Sequence, residues 1–310
     1  MNIVFMGTPE FAASHLKALV ESGVKVIGVF SQPDRPKGRG RRVYPTPVKS
    51  VAEVYGLPVF QPEKVNSGEG LEKLKELSPD LIVVVAYGKL LKSSVIDLPT
   101  LGCFNVHASL LPKYRGAAPI QRAIENGETR TGITIFKIDE GMDTGEIALR
   151  REIEIEISDN FGSLYEKLER LGREALLDFL KIAEAGRIEL CKQEGAPSYA
   201  PKVQASDLVI SDFSDAVYVL NKVRAYDPQP GARTSLDGKM VKLFGAVFSD
   251  RSYGKSRDGE IVKVEDHGMV LSCGTGNVII SLVQLPGKRP MSPKDAVSGR
   301  LIREGMILGG

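Results

Sequence analysis

Apolar and polar positions along the first half of the chain follow two rhythms that take turns. Asn2–Met6 is a short apolar run, and Glu10–Glu21 then carries Phe11, Leu16 and Leu19 at helical spacing with Gly23 just past its end. Lys25–Phe30 predicts a second strand. Thr46–Tyr55 predicts a helix, with Thr46 as its cap and Pro47 at the first helical position. Leu71–Leu77 has the spacing of an amphipathic helix. Leu81–Ala86 is an unbroken apolar run rich in β-branched residues, as expected of a strand buried on both faces. Cys103–Val106 reads as a strand, Pro119–Asn126 as a helix and Thr131–Ile138 as a strand. Such alternation predicts an α/β fold with a doubly wound, mainly parallel sheet. Sheets of that kind bind ligands beyond the carboxyl ends of their strands, near the point where strand order reverses.

From Phe161 to Glu184 the residues Leu164, Leu168, Leu171, Leu176, Phe179 and Ile182 form one apolar stripe, which predicts a long helix. Periodicity fades from Ala185 to Ser206, a stretch holding Gly195, Pro197 and Pro201 that reads as a surface linker. Beyond it the texture changes. One helix is expected first, capped near Ser214, with Val217, Leu220 and Val223 on its buried side. Short β-rich pieces follow at Lys239–Val247, Glu260–Val264, Met269–Ser272 and Asn277–Leu285, with turns at Asp237-Gly238, Asp258-Gly259 and Gly274–Gly276. A terminal helix is expected to start at Ser292-Pro293. The expected organisation is a Rossmann-like domain over residues 1–186, a linker over 187–205 and a smaller, OB-like β-barrel domain over 206–310.

Composition adds bounds rather than identity. The 310 residues are 42% apolar and 26% charged, enough for two cores of ordinary globular kind. A formal charge of +2 names no partner, so any nucleic-acid footprint must be local. The opening MNIVFMGTPEF lacks the pattern of a secretory signal, and no apolar run reaches the length of a membrane-spanning helix. Cys103, Cys191 and Cys273 are far apart and odd in number, which suggests reduced thiols in the cytoplasm rather than a disulfide framework or a zinc site. No metal-ligand cluster is evident.

Four places carry candidate chemistry. Met6-Gly7-Thr8-Pro9-Glu10 lies between a strand and a helix but lacks a phosphate-loop pattern, so a tight turn is the plain reading and a substrate contact the alternative. Asn105 and His107 sit two apart at the end of a predicted strand and would project from one face. An amide donor beside an imidazole suits an oxyanion formed from a carbonyl. Asp143 follows the strand ending at Ile138, within Asp139-Glu140-Gly141-Met142-Asp143-Thr144-Gly145. The strands are expected to be parallel, which brings their carboxyl ends to one edge and Asp143 near His107, where a carboxylate would favour the imidazolium and help move a proton. Finally, Arg35, Lys37, Arg39, Arg41 and Arg42 crowd a segment with one acid and no apolar anchor. It reads either as a solvated loop or as an arm for phosphates. The other histidines, His15 and His267, read as structural.

Together these residues resemble the folate-dependent formyltransferase family. Asn105, His107 and Asp143, with Ser109-Leu110-Leu111-Pro112 between them, match the order and spacing of its signature. The resemblance extends to GTPEFA at the start, QPDRPKGRGRR from Gln32, VVVAYG from Val83, LPKYRGAAPIQRAI from Leu111 and KRPMSPKDAV from Lys288. It covers essentially the whole chain and is densest over the first 150 residues. The chain departs from the family in having no tryptophan, in Gln229 where an aromatic is expected, and in Ala108 where relatives often have glycine.

The resemblance implies Asn105, His107 and Asp143 as the catalytic centre. It implies Ser109, Leu110, Leu111 and Pro112 as the border of a tetrahydrofolate site. It further implies 10-formyltetrahydrofolate as co-substrate, no metal, and direct transfer to an amine without a covalent enzyme intermediate. Through its match to the basic segment and the second domain, the resemblance also implies initiator methionyl-tRNA as the acceptor, held by Arg35, Lys37, Arg39, Arg41 and Arg42. Scattered basic residues such as Lys239, Lys242, Lys255, Arg257, Lys263, Lys288 and Arg289 would add to the grip. No membrane and no obligate protein partner are implied. The alternatives are an acceptor that is glycinamide ribonucleotide or an amino-sugar nucleotide, hydrolysis of the formyl-folate, or a protein that only binds RNA or a nucleotide.

Overall fold

The computed structural model describes residues 1–37, 42–251, 253–254 and 256–309. Along the chain it contains β1 (Ile3–Gly7), α1 (Glu10–Glu21), β2 (Val26–Phe30), β3 (Arg35–Lys37), β4 (Arg42–Tyr44), α2 (Pro47–Val54), β5 (Val59–Phe60), α3 (Glu69–Leu77), β6 (Leu81–Val85), α4 (Ser93–Ile96), β7 (Cys103–His107), β8 (Arg115–Gly116), α5 (Pro119–Glu125), β9 (Arg130–Lys137), β10 (Ile147–Glu154) and α6 (Phe161–Glu184). Then come β11 (Tyr199–Ala200), α7 (Ala216–Tyr226), β12 (Ala232–Leu236), β13 (Lys239–Phe248), β14 (Ile261–Glu265), β15 (Gly268–Cys273), β16 (Gly276–Gln284) and α8 (Pro293–Ser298). Contacts divide the chain into two compact units. The first comprises Met1–Gly116, Thr131–Ile153 and Lys167–Tyr199; the second comprises Ala117–Arg130, Glu154–Glu166 and Ala200–Gly310.

The first unit is built on a seven-stranded sheet of order β10-β9-β7-β6-β1-β2-β5. The pairs β1/β2, β1/β6, β2/β5 and β6/β7 are parallel. Strand order reverses at β1, with β2 on one side and β6 on the other, so the crevice expected of a doubly wound sheet opens beyond Gly7 and Val85. The strands β1 and β6 are buried at all five positions each. Val4, Met6, Ile82 and Val84 join Leu74 of α3 in one core cluster. On the other face Phe104 packs on Phe179 of α6 with ring centroids 4.6 Å apart. A side chain at Gly7 would put its Cβ 2.6 Å from that of Ala12, so glycine is what lets α1 leave the sheet so closely.

One expectation is corrected here. β9 pairs with β7 antiparallel, Asn105 opposite Phe136 and His107 opposite Thr134. The sheet is therefore mixed at this edge, and the carboxyl end of β9 does not share an edge with that of β7.

In the second unit β12-β13-β16-β15-β14 form a five-stranded antiparallel sheet. The tail bridges its two outer strands, Leu308 pairing with Leu236 and Ile307 with Glu260. Ser292 caps α8 by accepting from the Asp295 amide at 3.1 Å. The cap of α7 is Asp215, beside Ser214 as expected, its carboxylate accepting from the Val217 amide at 2.9 Å. Val217, expected on the buried side, is 51% exposed. It lies in the first turn, and the covered stretch begins at Val219.

No described helix is long and apolar enough to cross a membrane. Among the described residues no group of three or more His, Cys, Asp and Glu residues is arranged to hold a metal ion. Cys103 and Cys273 are buried, and burial pushes each thiol up to about 12. Cys191 is exposed.

Candidate active site

Asn105 and His107 stand on one face of β7, the face that Cys103 gives to the core cluster. The alternation of a strand thus puts both polar side chains on one face at the carboxyl-terminal part of β7, with Asn105 level with Val84 of β6. The Asn105 side chain is half-buried and has no hydrogen-bond partner among the described residues. Its two amide donors are free to serve a ligand.

His107 is 6% exposed and held on two sides. Its Nε2 lies 2.9 Å from the carbonyl oxygen of Tyr114. A carbonyl only accepts, so Nε2 carries a hydrogen and donates it. The other ring nitrogen, Nδ1, lies 3.7 Å from Oδ2 of Asp143. Phe136 meets the ring edge-on, with centroids 6.4 Å apart.

Asp143 reaches this position through the loop 138–146, which joins β9 to β10. Lys137 N donates to Glu146 O at 2.8 Å and closes the loop. Asp143 itself sits at φ 53°, in the left-handed region that a short polar side chain tolerates. Its Oδ2 accepts from the Gly116 amide at 2.7 Å. One carboxylate oxygen therefore faces both a backbone donor and the imidazole.

The segment Ser109-Leu110-Leu111-Pro112 is largely engaged within the protein. Ser109 is fully buried, and its hydroxyl donates to Lys113 O at 2.6 Å. The Thr134 hydroxyl donates to Ser109 O at 2.6 Å and accepts from the Leu111 amide at 3.2 Å. Arg150 donates to the Leu111 carbonyl. Leu111 and Pro112 are buried, while Leu110 is only partly so.

Tyr114, Gly116, Thr134, Arg115 and Gln193 hydrogen-bond within this group, and the sequence reading gave none of them an individual role. Three of them act through backbone atoms or a hydroxyl, which no residue pattern announces. Tyr114 adopts φ 61°, its amide donating to Ser198 Oγ at 2.9 Å while its carbonyl faces His107. Holding a non-glycine residue there costs on the order of 1–3 kcal/mol.

At the crevice between β1 and β6, Thr8 Oγ1 donates to Tyr87 O at 3.0 Å, and Gln32 Nε2 donates to the same carbonyl at 3.1 Å. The basic segment is anchored just beyond. Arg35 is exposed and pairs with Tyr44 across the short β3/β4 ladder. Asp34 holds the root: Lys49 Nζ and Gln61 Nε2 each lie 2.6 Å from its carboxylate. Partial burial works upward on that carboxyl, and these two hydrogen bonds outweigh it and hold it below its ordinary value. Arg39 and Arg41 lie outside the described residues, as do the side chains of Lys37 and Arg42.

In the second unit Lys239, Lys288 and Arg289 are exposed. Lys242 donates to Pro230 O at 2.7 Å. Lys263 pairs with Glu304 at 3.3 Å, and Arg257 with Glu260 at 3.7 Å. Lys255 lies outside the described residues.

Residues 1–180 match a family model described as formyl transferase, and residues 202–301 match one described as its C-terminal domain. A methionyl-tRNA formyltransferase of Kosmotoga olearia is 58% identical, the match covering 100% of each chain. One of Thermotoga maritima is 48% identical, over 99% of this chain and 97% of the relative. Among solved structures, HypX from Aquifex aeolicus in complex with tetrahydrofolic acid superposes with a TM-score of 0.67 at 21% identity, over 97% of this chain and 47% of HypX. WlaRD, a sugar 3N-formyl transferase, superposes with a TM-score of 0.68 at 19% identity, over 93% of this chain and 99% of WlaRD. At these identities the two structures bear on the fold alone.

Proposed function

The chain belongs to the formyl transferase family, and from that premise we propose that it moves the formyl group of 10-formyltetrahydrofolate to the amino group of methionyl-tRNA. The product is N-formylmethionyl-tRNA, the acceptor is the initiator species, and the work is done in the cytoplasm, where translation starts. The observation that carries the chemical reading is the meeting of the His107 imidazole and the Asp143 carboxylate at 3.7 Å, beside an unengaged Asn105 amide.

The donor fits these residues. A formyl oxygen needs hydrogen-bond donors as charge grows on it, and Asn105 has donors that nothing in the described protein uses. Bound 10-formyltetrahydrofolate supplies an electrophilic formyl carbon on N10. The methionyl amine forms the new C–N bond, the bond to N10 breaks, and one proton passes from the amine toward N10. Asn105 donates to the formyl oxygen. His107 presents Nδ1 to the same centre because Nε2 is committed to Tyr114; protonated at Nδ1, it donates with Asp143 as its counter-charge. Asp143 orients the ring and receives the proton shed by the amine, directly or through water.

Within the folate border Leu110 is the side chain left to contact the donor. The buried Ser109, Leu111 and Pro112 set the shape of the turn beneath it. The tRNA is held by phosphate contacts from Arg35, Lys37, Arg39, Arg41 and Arg42 and from exposed lysines and arginines of the second unit.

The test is transfer of labelled formyl from 10-formyltetrahydrofolate to a panel of acceptors. Label is expected on charged initiator methionyl-tRNA and absent from uncharged tRNA, glycinamide ribonucleotide and an amino-sugar nucleotide. Label on either small amine with none on the tRNA overturns the acceptor. Loss of formyl with no acceptor present makes the protein a hydrolase.

A further inference from the structure

Gln193 lies in the stretch that joins α6 to β11, where the sequence has no periodicity. The stretch is pinned at both ends. Cys191 exchanges backbone hydrogen bonds with Ile147 at 2.9 and 2.7 Å, and Ser198 O accepts from the Arg115 amide at 2.9 Å. Between these pins the Gln193 side chain spans two loops. Its Nε2 donates to the carbonyls of Asp143 and Gly145, each at 2.8 Å. Its Oε1 accepts from Arg115 Nε at 3.2 Å and Nη2 at 2.6 Å. The amide has only one orientation that satisfies these partners, because two carbonyls require the NH2 group and a guanidinium requires the oxygen.

The geometry is closed around Asp143. Gln193 holds its backbone, Gly116 holds its carboxylate at 2.7 Å, and Arg115, next to Gly116, holds Gln193. The backbone at Asp143 is left-handed at φ 53°, a conformation that a free loop of this composition would leave readily. We infer that Gln193 is a positioning residue for formyl transfer: it fixes the loop 138–146 so that the Asp143 carboxylate meets the His107 ring. The inference rests on the reading of Asp143 given above. It assigns Gln193 no contact with substrate.

A double-mutant cycle tests it in the full chain. Gln193→Met keeps length and loses every hydrogen bond. Displacing a catalytic group by a fraction of an ångström is worth about 10-fold or more in turnover, so Gln193→Met is expected to lower kcat by that factor. KM for both substrates and the thermal midpoint should stay near wild type. In an Asp143→Asn background the same change should cost less than about 2-fold, because the group it positions no longer works. Gln193→Glu is the second variant: it keeps an acceptor for Arg115 but turns oxygen toward the two carbonyls, and the same kcat loss is expected.

Wild-type kcat in both Gln193 variants overturns the inference alone. So does an equal loss in the presence and absence of Asp143, which makes Gln193 a structural tie. Wild-type kcat in Asp143→Asn overturns the reading of the site and this inference with it. If Gln193→Met does not fold, Gln193→Glu carries the cycle by itself.

Discussion

The Asp143 carboxylate lies 3.7 Å from the His107 ring although β9, which leads toward Asp143, runs antiparallel to the strand that carries His107. An antiparallel neighbour sends its carboxyl end the wrong way. The nine-residue loop 138–146 between β9 and β10 corrects this, because it turns back and is tied to Gly116 and Gln193. The His107–Asp143 proximity is therefore a property of a loop and its ties, and it is open to perturbation at each.

Asp143→Asn keeps the acceptor for the Gly116 amide, and asparagine tolerates the left-handed backbone at this position. What it removes is the negative charge beside His107. The expected outcome is a fall in kcat of about 100-fold or more with little change in KM, since proton transfer by a placed group contributes that much. Steady-state kinetics with saturating folate check it. An unchanged kcat would mean that Asp143 only shapes the loop.

Much of the first unit is legible in the sequence because its signals are local. Asn105 and His107 share a face through the two-residue repeat of a strand, and Leu81–Val85 betrays its burial by an unbroken apolar run. What escapes is set by distance or by weak patterning. β10 turns from Ile147 and Leu149 to exposed Arg151 and Glu152, as an outer strand can. β12 buries Ala232, Thr234 and Leu236, of which only the last resembles a core residue in a list of letters. The Gln193 to Asp143 contact joins residues fifty apart through a stretch with no rhythm at all.

Arg39, Arg41 and Arg42 are expected to act on the acceptor and not on the donor. Reversing all three to glutamate should weaken binding of methionyl-tRNA by about 10-fold or more at moderate salt and flatten its dependence on salt. Binding of the folate should stay as it is. Filter binding across a salt series, with folate titration alongside, separates the two. Equal tRNA affinity would return the segment to a solvated loop.

His15 makes stability depend on pH. It is fully buried in α1, its Nδ1–H donates to Phe11 O at 2.6 Å, and its Nε2 has no hydrogen-bond partner among the described residues. Burial lowers its pKa from 6.5 to about 4, against a smaller upward effect of the bond to Phe11. The unfolded chain therefore takes up the proton first. His15 costs nothing above pH 6.5, and its penalty grows as the pH falls from 6.5 toward 4. The full penalty is on the order of 3 kcal/mol. His15→Asn retains an N–H at the Nδ1 position for Phe11 O and cannot titrate, so urea unfolding should show its stability falling less than wild type between those two values. Parallel curves for the two proteins would remove His15 as the cause.

The central claim is that the chain formylates methionyl-tRNA through the group of residues around His107. Single-turnover transfer of labelled formyl from 10-formyltetrahydrofolate to initiator methionyl-tRNA, by wild type and by His107→Ala, tests it most directly. The account predicts rapid transfer by wild type and a rate lower by about 100-fold or more in the variant, with the circular dichroism spectrum and folate binding retained. Transfer at the wild-type rate without His107, or no transfer to this tRNA by the wild type, would contradict it.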